Sequence, residues 1–339
     1  LSRHRTLALA LAGALVAGQG AGCTFAHLAE SNAALLFRRP DPPPVRTEVV
    51  AAAGARIAAT WIGHATVLLQ LDDKFVLTDP VFTEYLGALT HRLVEPGLSV
   101  AQLPPLAAVV VSHRHLDHLS PASLKRIGAK TPVVVVPPGA AGNVPAGPYR
   151  VEELPRWESR VEDGVRITAV PVDHNGGRFF DRKSHPLAFT GYVIEYHGLT
   201  VYFPGDTAYA PEDFEAVARA FPRIDLALMP IGPIAPRLTT HRNHIDPAEA
   251  LEAARLVGAA EMLPIHHDTF VHSLDKPGDC VSALEAALEE GAPYPADRVH
   301  VVSIGERWTF PGDVPLGAGL AAAGAPSRPT ARAAGASAQ

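Results

Sequence analysis

Cysteine is almost absent from this chain of 339 residues: Cys23 and Cys280 are the only two, so no disulfide framework can staple it. A chain of this length does not require one, because its core can be large enough to hold itself together. The same scarcity says nothing for or against an oxidising compartment. A surplus of positive charge is missing as well. Lys and Arg number 29 against 35 Asp and Glu, a formal net charge of −6, and no basic arm studded with aromatic residues is present. General affinity for nucleic acid needs such a surface, so nucleic acid is not expected as a partner. No linker divides the middle of the chain and no repeat is visible, so one large domain is expected where length alone would allow two. Hydrophobic residues make up 47% and charged residues 19%, which describes a globular chain with a large core.

The ends differ from the middle. Arg3 and Arg5 precede a Leu/Ala-rich run at 6–17, and Gly18 to Gly22 lead to Cys23, the layout of an export signal. The apolar run is too short to span a membrane comfortably. Gly22-Cys23 resembles the cleavage point of a bacterial lipoprotein, with Gly20 where such signals usually carry Leu, and the resemblance implies an exported protein, periplasmic or membrane-anchored through a lipidated Cys23. Ordinary cleavage after Ala26 and an uncleaved amphipathic N-terminus are the other two readings. Pro-Asp-Pro-Pro-Pro at 40–44 reads as a stiff linker. The expected division is therefore signal and linker at 1–46, a folded domain at 47–312, and a disordered Ala/Gly/Pro/Ser-rich tail at 313–339.

The densest chemical signal lies at 113–118, His-Arg-His-Leu-Asp-His, directly after an apolar run and Ser112. In extended backbone, residues two apart point the same way, so His113 and His115 can share one metal while Asp117 and His118, past the bend, reach another. A histidine-rich surface loop is the bland alternative. Three further positions close strand-like runs: His174, Asp206 after Gly205, and His266. Singly they read equally well as a loop histidine, a helix cap and a core histidine. Together with the six-residue cluster they make five histidines and two carboxylates at strand ends, a donor set suited to two metals with an aspartate between them.

Strand patterns fall at 57–62, 66–71, 75–78, 108–112, 133–136, 165–172, 188–196, 200–203, 226–229, 261–265 and 299–304, with a hairpin turn at 72–74. Helix patterns fall at 121–127 after Ser120, 211–221, 248–257 behind Asp246-Pro247, and 281–290 before Gly291. Strands early and helices inserted later predict an α/β fold of two sheets packed face to face, each covered by helices.

Several segments occur in order: Trp61-Ile62-Gly63-His64-Ala65-Thr66, Leu77-Thr78-Asp79-Pro80, Val111 to Leu119 around the cluster, Pro230-Ile231-Gly232, and His244-Ile245-Asp246-Pro247-Ala248-Glu249-Ala250. With the metal-ligand pattern they resemble the metallo-β-lactamase superfamily, and within it the N-acyl-phosphatidylethanolamine-hydrolysing phospholipase D family, more distantly the ascorbate-6-phosphate lactonase group, over about 55–310. The resemblance implies an αββα four-layer sandwich. It implies that His113, His115 and His174 hold one divalent ion, that Asp117, His118 and His266 hold a second, and that Asp206 bridges them. His267, beside His266, is the neighbour that could exchange roles with it. Zinc is the expected metal because the site is rich in imidazole, with iron or manganese as alternatives. Hydroxide generated between the ions would attack phosphorus, with Asp117 doubling as a proton shuttle. His244 would hydrogen-bond a phosphate or leaving group, or else serve only the entry to the helix capped by Asp246. His64 would orient a ligand.

The implied activity is phosphodiester cleavage of phospholipase D type on N-acyl-phosphatidylethanolamine-like phospholipids at a membrane surface. A lactonase or other small-ester hydrolase is the alternative enzyme, a non-catalytic metal-binding protein the alternative of another class, and the oligomeric state is left open. Two segments depart from the phospholipase pattern: Leu187 to Tyr192 stand where that family is Trp-rich, and Pro233-Ile234 where it has a small residue followed by Tyr. These positions are expected to line the substrate region, so the resemblance leaves head-group and acyl preference open.

Overall fold

The computed structural model describes residues 30–32, 38–48, 50–87, 90–178 and 188–311. The leader with Cys23 and the tail from 312 lie outside the described residues. In chain order the strands are β1 (Ala55–Gly63), β2 (Thr66–Leu71), β3 (Lys74–Thr78), β4 (Tyr85–Leu86), β5 (Thr90–His91), β6 (Ala108–Val110), β7 (Val133–Val136), β8 (Arg150–Glu153), β9 (Ser159–Glu162), β10 (Val165–Val170), β11 (Gly191–Tyr196), β12 (Leu199–Phe203), β13 (Ile224–Pro230), β14 (Ala259–Ile265) and β15 (Arg307–Pro311). The helices are α1 (Pro121–Ile127), α2 (Pro211–Ala220), α3 (Arg237–Thr240), α4 (Pro247–Leu256) and α5 (Asp279–Glu289).

Alternation of side chains along strands builds the layers. In β2, Val67, Leu69 and Leu71 face the other sheet while Leu68 faces outward, and in β7 Val133 and Val135 face inward while Val134 and Val136 face out. Strands apolar on both faces must be covered on both faces. Seven strands in the order β15-β1-β2-β3-β6-β7-β8 pack against six in the order β14-β13-β12-β11-β10-β9, and β4-β5 form a separate ribbon. Leu124 and Ile127 of α1 cover the outer face of the first sheet. Phe214 and Val217 of α2, Leu251 and Ala254 of α4 and Leu284 of α5 cover the second. The result is the αββα sandwich. Each fully buried Val or Leu in these layers contributes about 1.5–3 kcal/mol relative to exposure.

Several elements differ from the sequence reading. Residues 299–304, rich in β-branched side chains, make no strand: a single bridge joins Val299 to Met262, and the chain then crosses from β14 to the other sheet, where the Gly305 N–H donates to Trp61 O at 2.8 Å. The true last strand is β15, which pairs antiparallel with β1. The short β8 and β9 escape notice because they are charged. They edge the two sheets, where Arg150–Glu162 (2.8 Å) and Arg160–Glu152 (3.0 Å) ion pairs join them, and charge on an edge discourages further pairing. The Pro-rich stretch is docked on the domain: Asp41 N–H donates to Leu93 O, and Glu95 N–H donates back to Asp41 O, both at 2.8 Å.

Candidate metal centre

The sandwich brings the predicted donors to one end. His113 to His118 follow β6, His174 follows β10, Asp206 follows β12 and His266 follows β14. Local conformation fixes each in place. Ser120 caps α1, accepting from Ser123 N–H, and so ends the histidine loop in a helix start. Gly205 has φ +65°, and a Cβ there would lie 2.3 Å from Ser112 Cβ, so only glycine lets the Asp206 turn close on the strand that carries His113. His266 leaves β14 at φ 65°, and its N–H donates to the carbonyl of His64, itself at φ 57° and held through Thr269 Oγ1. Left-handed backbone at non-glycine residues is strained, and here it serves to aim side chains.

Two donor groups result. In the first, His113 Nε2 lies 2.8 Å from His115 Nδ1, and His174 Nε2 lies 3.4 Å from that same atom. In the second, Asp206 presents Oδ2 to His118 Nε2 at 3.2 Å and Oδ1 to His266 Nε2 at 3.1 Å. Donors about 2.0–2.1 Å from one tetrahedral ion stand about 3.3 Å apart, so both groups have the spacing of a coordination shell. Asp206 Oδ2 also lies 3.8 Å from His113 Nε2 and 3.9 Å from His174 Nε2, which places the carboxylate between the groups. Asp117 takes a different position from His118: its Oδ2 is 3.0 Å from His64 Nε2 and 3.6 Å from His118 Nε2. It belongs to a further set with His64, His266 and His272.

The interior demands positive charge at this point. Both Asp206 oxygens are buried, and the ring nitrogens at 3.1–3.2 Å stand outside hydrogen-bonding geometry. A buried carboxylate without such a partner is costly unless a cation accompanies it. Burial opposes ionisation of Asp206, yet His118 and His266 outweigh it and hold the carboxyl well below the usual range. Burial keeps His113 and His64 neutral, and pushes His174 down to about 4, so their ring nitrogens are free to ligate. His118 is the exception. Burial disfavours its charged ring, but Asp206, Asp117 and Asp79 raise it well above the ordinary value. The nitrogen-rich donor set fits zinc or a similar borderline cation.

Several supporting residues were not assigned from sequence. Asp79, fully buried, accepts from Ser112 N–H and Ser112 Oγ and holds His118 Nδ1, each at 2.6 Å. This carboxylate–histidine arrangement turns Nε2 of His118 toward Asp206. Ser112 Oγ in turn contacts His113 Nδ1 at 2.9 Å. Asn175 Oδ1 meets His115 Nε2 at 3.1 Å, Asn243 O meets His174 Nδ1 at 2.9 Å, and the two amides bond each other at 2.8 Å. The order Leu77-Thr78-Asp79-Pro80 was a visible signal for Asp79; the asparagines carried none. His267 turns away, its Nδ1 against Asp268 at 3.0 Å and its ring against Trp61 at 4.5 Å. His266 alone of the adjacent pair therefore joins the donors. His244 stands over both groups, with Nδ1 3.7 Å from Asp206 Oδ2 and its ring beside His174 and His266. His64 Nε2 lies 3.0 Å from Asp117 Oδ2.

Comparison with known proteins agrees with this architecture. A model of the beta-lactamase superfamily domain matches residues 74–267, more than half of the chain. N-acyl-phosphatidylethanolamine-hydrolyzing phospholipase D 1 of Caenorhabditis elegans is 36% identical over 230 residues, 62% of this chain and 64% of that protein. The chain thus spans less than two thirds of that relative's length. A UPF0173 metal-dependent hydrolase of Pelotomaculum thermopropionicum is 31% identical over 252 residues, 73% of this chain and 97% of that one. Among solved structures, isothiocyanate hydrolase from Delia radicum gut bacteria shares the fold, with TM-score 0.58 at 20% identity over 75% of this chain and 100% of that one. The superfamily match runs through strands, turns and all seven predicted donors, from His113 to His266, so the chain belongs to the beta-lactamase superfamily, as one of its metal-dependent hydrolases.

Proposed function

We propose that this hydrolase uses two divalent ions, most suitably zinc, to cleave the phosphodiester bond of N-acyl-phosphatidylethanolamine-like phospholipids. The observation that carries the binuclear reading is Asp206, a buried carboxylate without a hydrogen-bonded partner that stands between the two donor groups, 3.1–3.2 Å from His266 and His118 of one and 3.8–3.9 Å from His113 and His174 of the other. Bound by these groups, the ions would supply Lewis acidity and activate water near neutral pH. The remaining work falls to the chain. His113, His115 and His174 hold one ion, and His118, His266 and Asp117 the other, with Asp206 shared. His64 Nε2 keeps the Asp117 carboxylate oriented. His244 is kept neutral, mainly by burial, so it approaches a phosphoryl or leaving-group oxygen as a hydrogen-bonding imidazole without adding charge.

The rim supports a substrate with an apolar part. Leu116, between His115 and Asp117, is 41% exposed, and Leu238 on α3 is 82% exposed. The neighbouring Arg237 holds the carbonyl of His244 at 2.8 Å, which ties α3 to the site. The phospholipid class itself rests on similarity to the Caenorhabditis elegans phospholipase. Export with lipidation of Cys23 would keep the enzyme at a membrane surface; mass spectrometry of the N-terminal peptide reads that modification directly. For substrate, metal-loaded protein is incubated with N-acyl-phosphatidylethanolamine vesicles, and phosphatidic acid and N-acylethanolamine are measured. No phosphatidic acid from any phospholipid sinks this class. A small-ester or lactone substrate gains weight instead where Leu187 to Tyr192 and Pro233-Ile234 depart from the phospholipase pattern. Turnover on a panel of lactones and phosphodiesters separates the two readings.

A further inference from the structure

We propose that the chain offers its second cation an additional seat, made by His64, Asp117, His266 and His272 on the side of the centre away from His113. One donor atom from each of these four residues lies within 4.8 Å of every other. Three imidazoles and one carboxylate are a complete tetrahedral complement for zinc. His272 was not among the residues expected to ligate. Its Nδ1 contacts Phe270 O at 3.0 Å, which fixes the ring and leaves Nε2 buried with no partner. His64 Nδ1 and both ring nitrogens of His266 are buried and unpartnered in the same place. A native interior rarely leaves so many polar atoms unsatisfied together, and a cation satisfies several at once. His64 Nε2 and Asp117 Oδ2, 3.0 Å apart, have the separation of two ligands on one ion, so an ion in this seat would replace the hydrogen bond by which His64 otherwise holds Asp117.

This seat is distinct from the one beside Asp206. Neither Asp206 nor His118 belongs to it; His266 is common to it and to the His118–Asp206 set, and Asp117, assigned above to the second ion, is part of it. Since one imidazole nitrogen cannot serve two cations, His266 acts as a pivot, and an ion takes either the Asp206 side or the His272 side. The first donor group shares no residue with the new seat and is unaffected. The inference rests on the reading that the centre binds two ions, and the test keeps the two apart.

Zinc binding to the full chain is followed by equilibrium dialysis with metal analysis, for the parent protein and for His272→Leu. The expected result is two ions on the parent, with the first bound equally by both proteins and the second weakened at least about tenfold in the variant, the scale of losing support at a metal site. Because the variant could fold poorly, 15N-histidine NMR of the parent during zinc titration supplies an independent readout. The His272 Nε2 resonance should move to a coordinated position with the second equivalent. Two ions bound, with that resonance unmoved and His272→Leu binding like the parent, overturns the seat and leaves the binuclear reading intact. A single ion on the parent overturns both.

Discussion

The two donor groups are built to different standards. In the first, every ring nitrogen that faces away from the donor cluster is engaged: His113 Nδ1 by Ser112, His115 Nε2 by Asn175 and His174 Nδ1 by Asn243. In the second, Asp79 braces His118, while neither nitrogen of His266 has a hydrogen-bond partner. Engaged far nitrogens fix ring orientation and tautomer before a cation arrives. The first group is therefore preorganised, and the second is not. On the proposed two-ion reading, that difference predicts tight binding of one ion and weaker binding of the other.

The largest effect should come from removing what the groups share. Asp206→Asn is expected to lose bound metal and hydrolysis together, because an amide restores neither the negative charge nor two acceptor oxygens between the imidazoles. Metal analysis beside an activity assay checks it, and near-parental values of both would end the bridging role. Gly205→Ala should approach the same outcome without touching a ligand, since its Cβ would meet Ser112 at 2.3 Å in a left-handed backbone.

Next in size is Asp79→Asn. Its carboxylate holds His118 directly and His113 through Ser112, so both groups should weaken, by about 10–100-fold in metal affinity. A change confined to one ion would show that the Ser112 link transmits nothing. Asn175→Ala is the one-sided counterpart. It frees His115 Nε2 and the amide of Asn243, whose carbonyl meets His174, all on the first group's side, and should cost the first ion about tenfold while sparing the second. Competitive chelator titration resolves the two stoichiometric steps.

How much of this was legible in the sequence follows from how each feature is encoded. Strand runs such as 66–71 and 133–136 announce themselves because both faces are apolar, and the ligands announce themselves because His-x-His-x-Asp-His is dense chemistry in six positions. Asp79 is 39 residues from His118, and Asn175 is 60 from His115, so these contacts exist only once sheets bring strand ends together. An asparagine carries no metal signature by itself. The choice between His266 and His267 depended on a backbone angle at the strand exit, φ 65°, which no residue type declares. Charged edge strands β8 and β9 hid behind ion pairs, whereas 299–304 had the composition of a strand but leaves β14 after the single bridge at Val299 to cross to the other sheet.

The smallest expected effect also separates the groups most cleanly. Burial keeps His113 low and takes His174 down to about 4, so the first group is already neutral at pH 7 and takes its ion without releasing protons from either ring. His118 runs opposite: burial lowers it, but Asp206, Asp117 and Asp79 together raise it well above 6.5, so it carries a proton that a cation must displace from Nε2. Binding of the second ion should therefore release about one proton at pH 7, strengthen as pH rises toward that elevated value, and weaken as pH falls, while the first ion holds its affinity to lower pH. Calorimetry in two buffers of different ionisation enthalpy counts the protons for each step. Equal release in both steps would mean that the carboxylates around His118 do not distinguish the second group from the first.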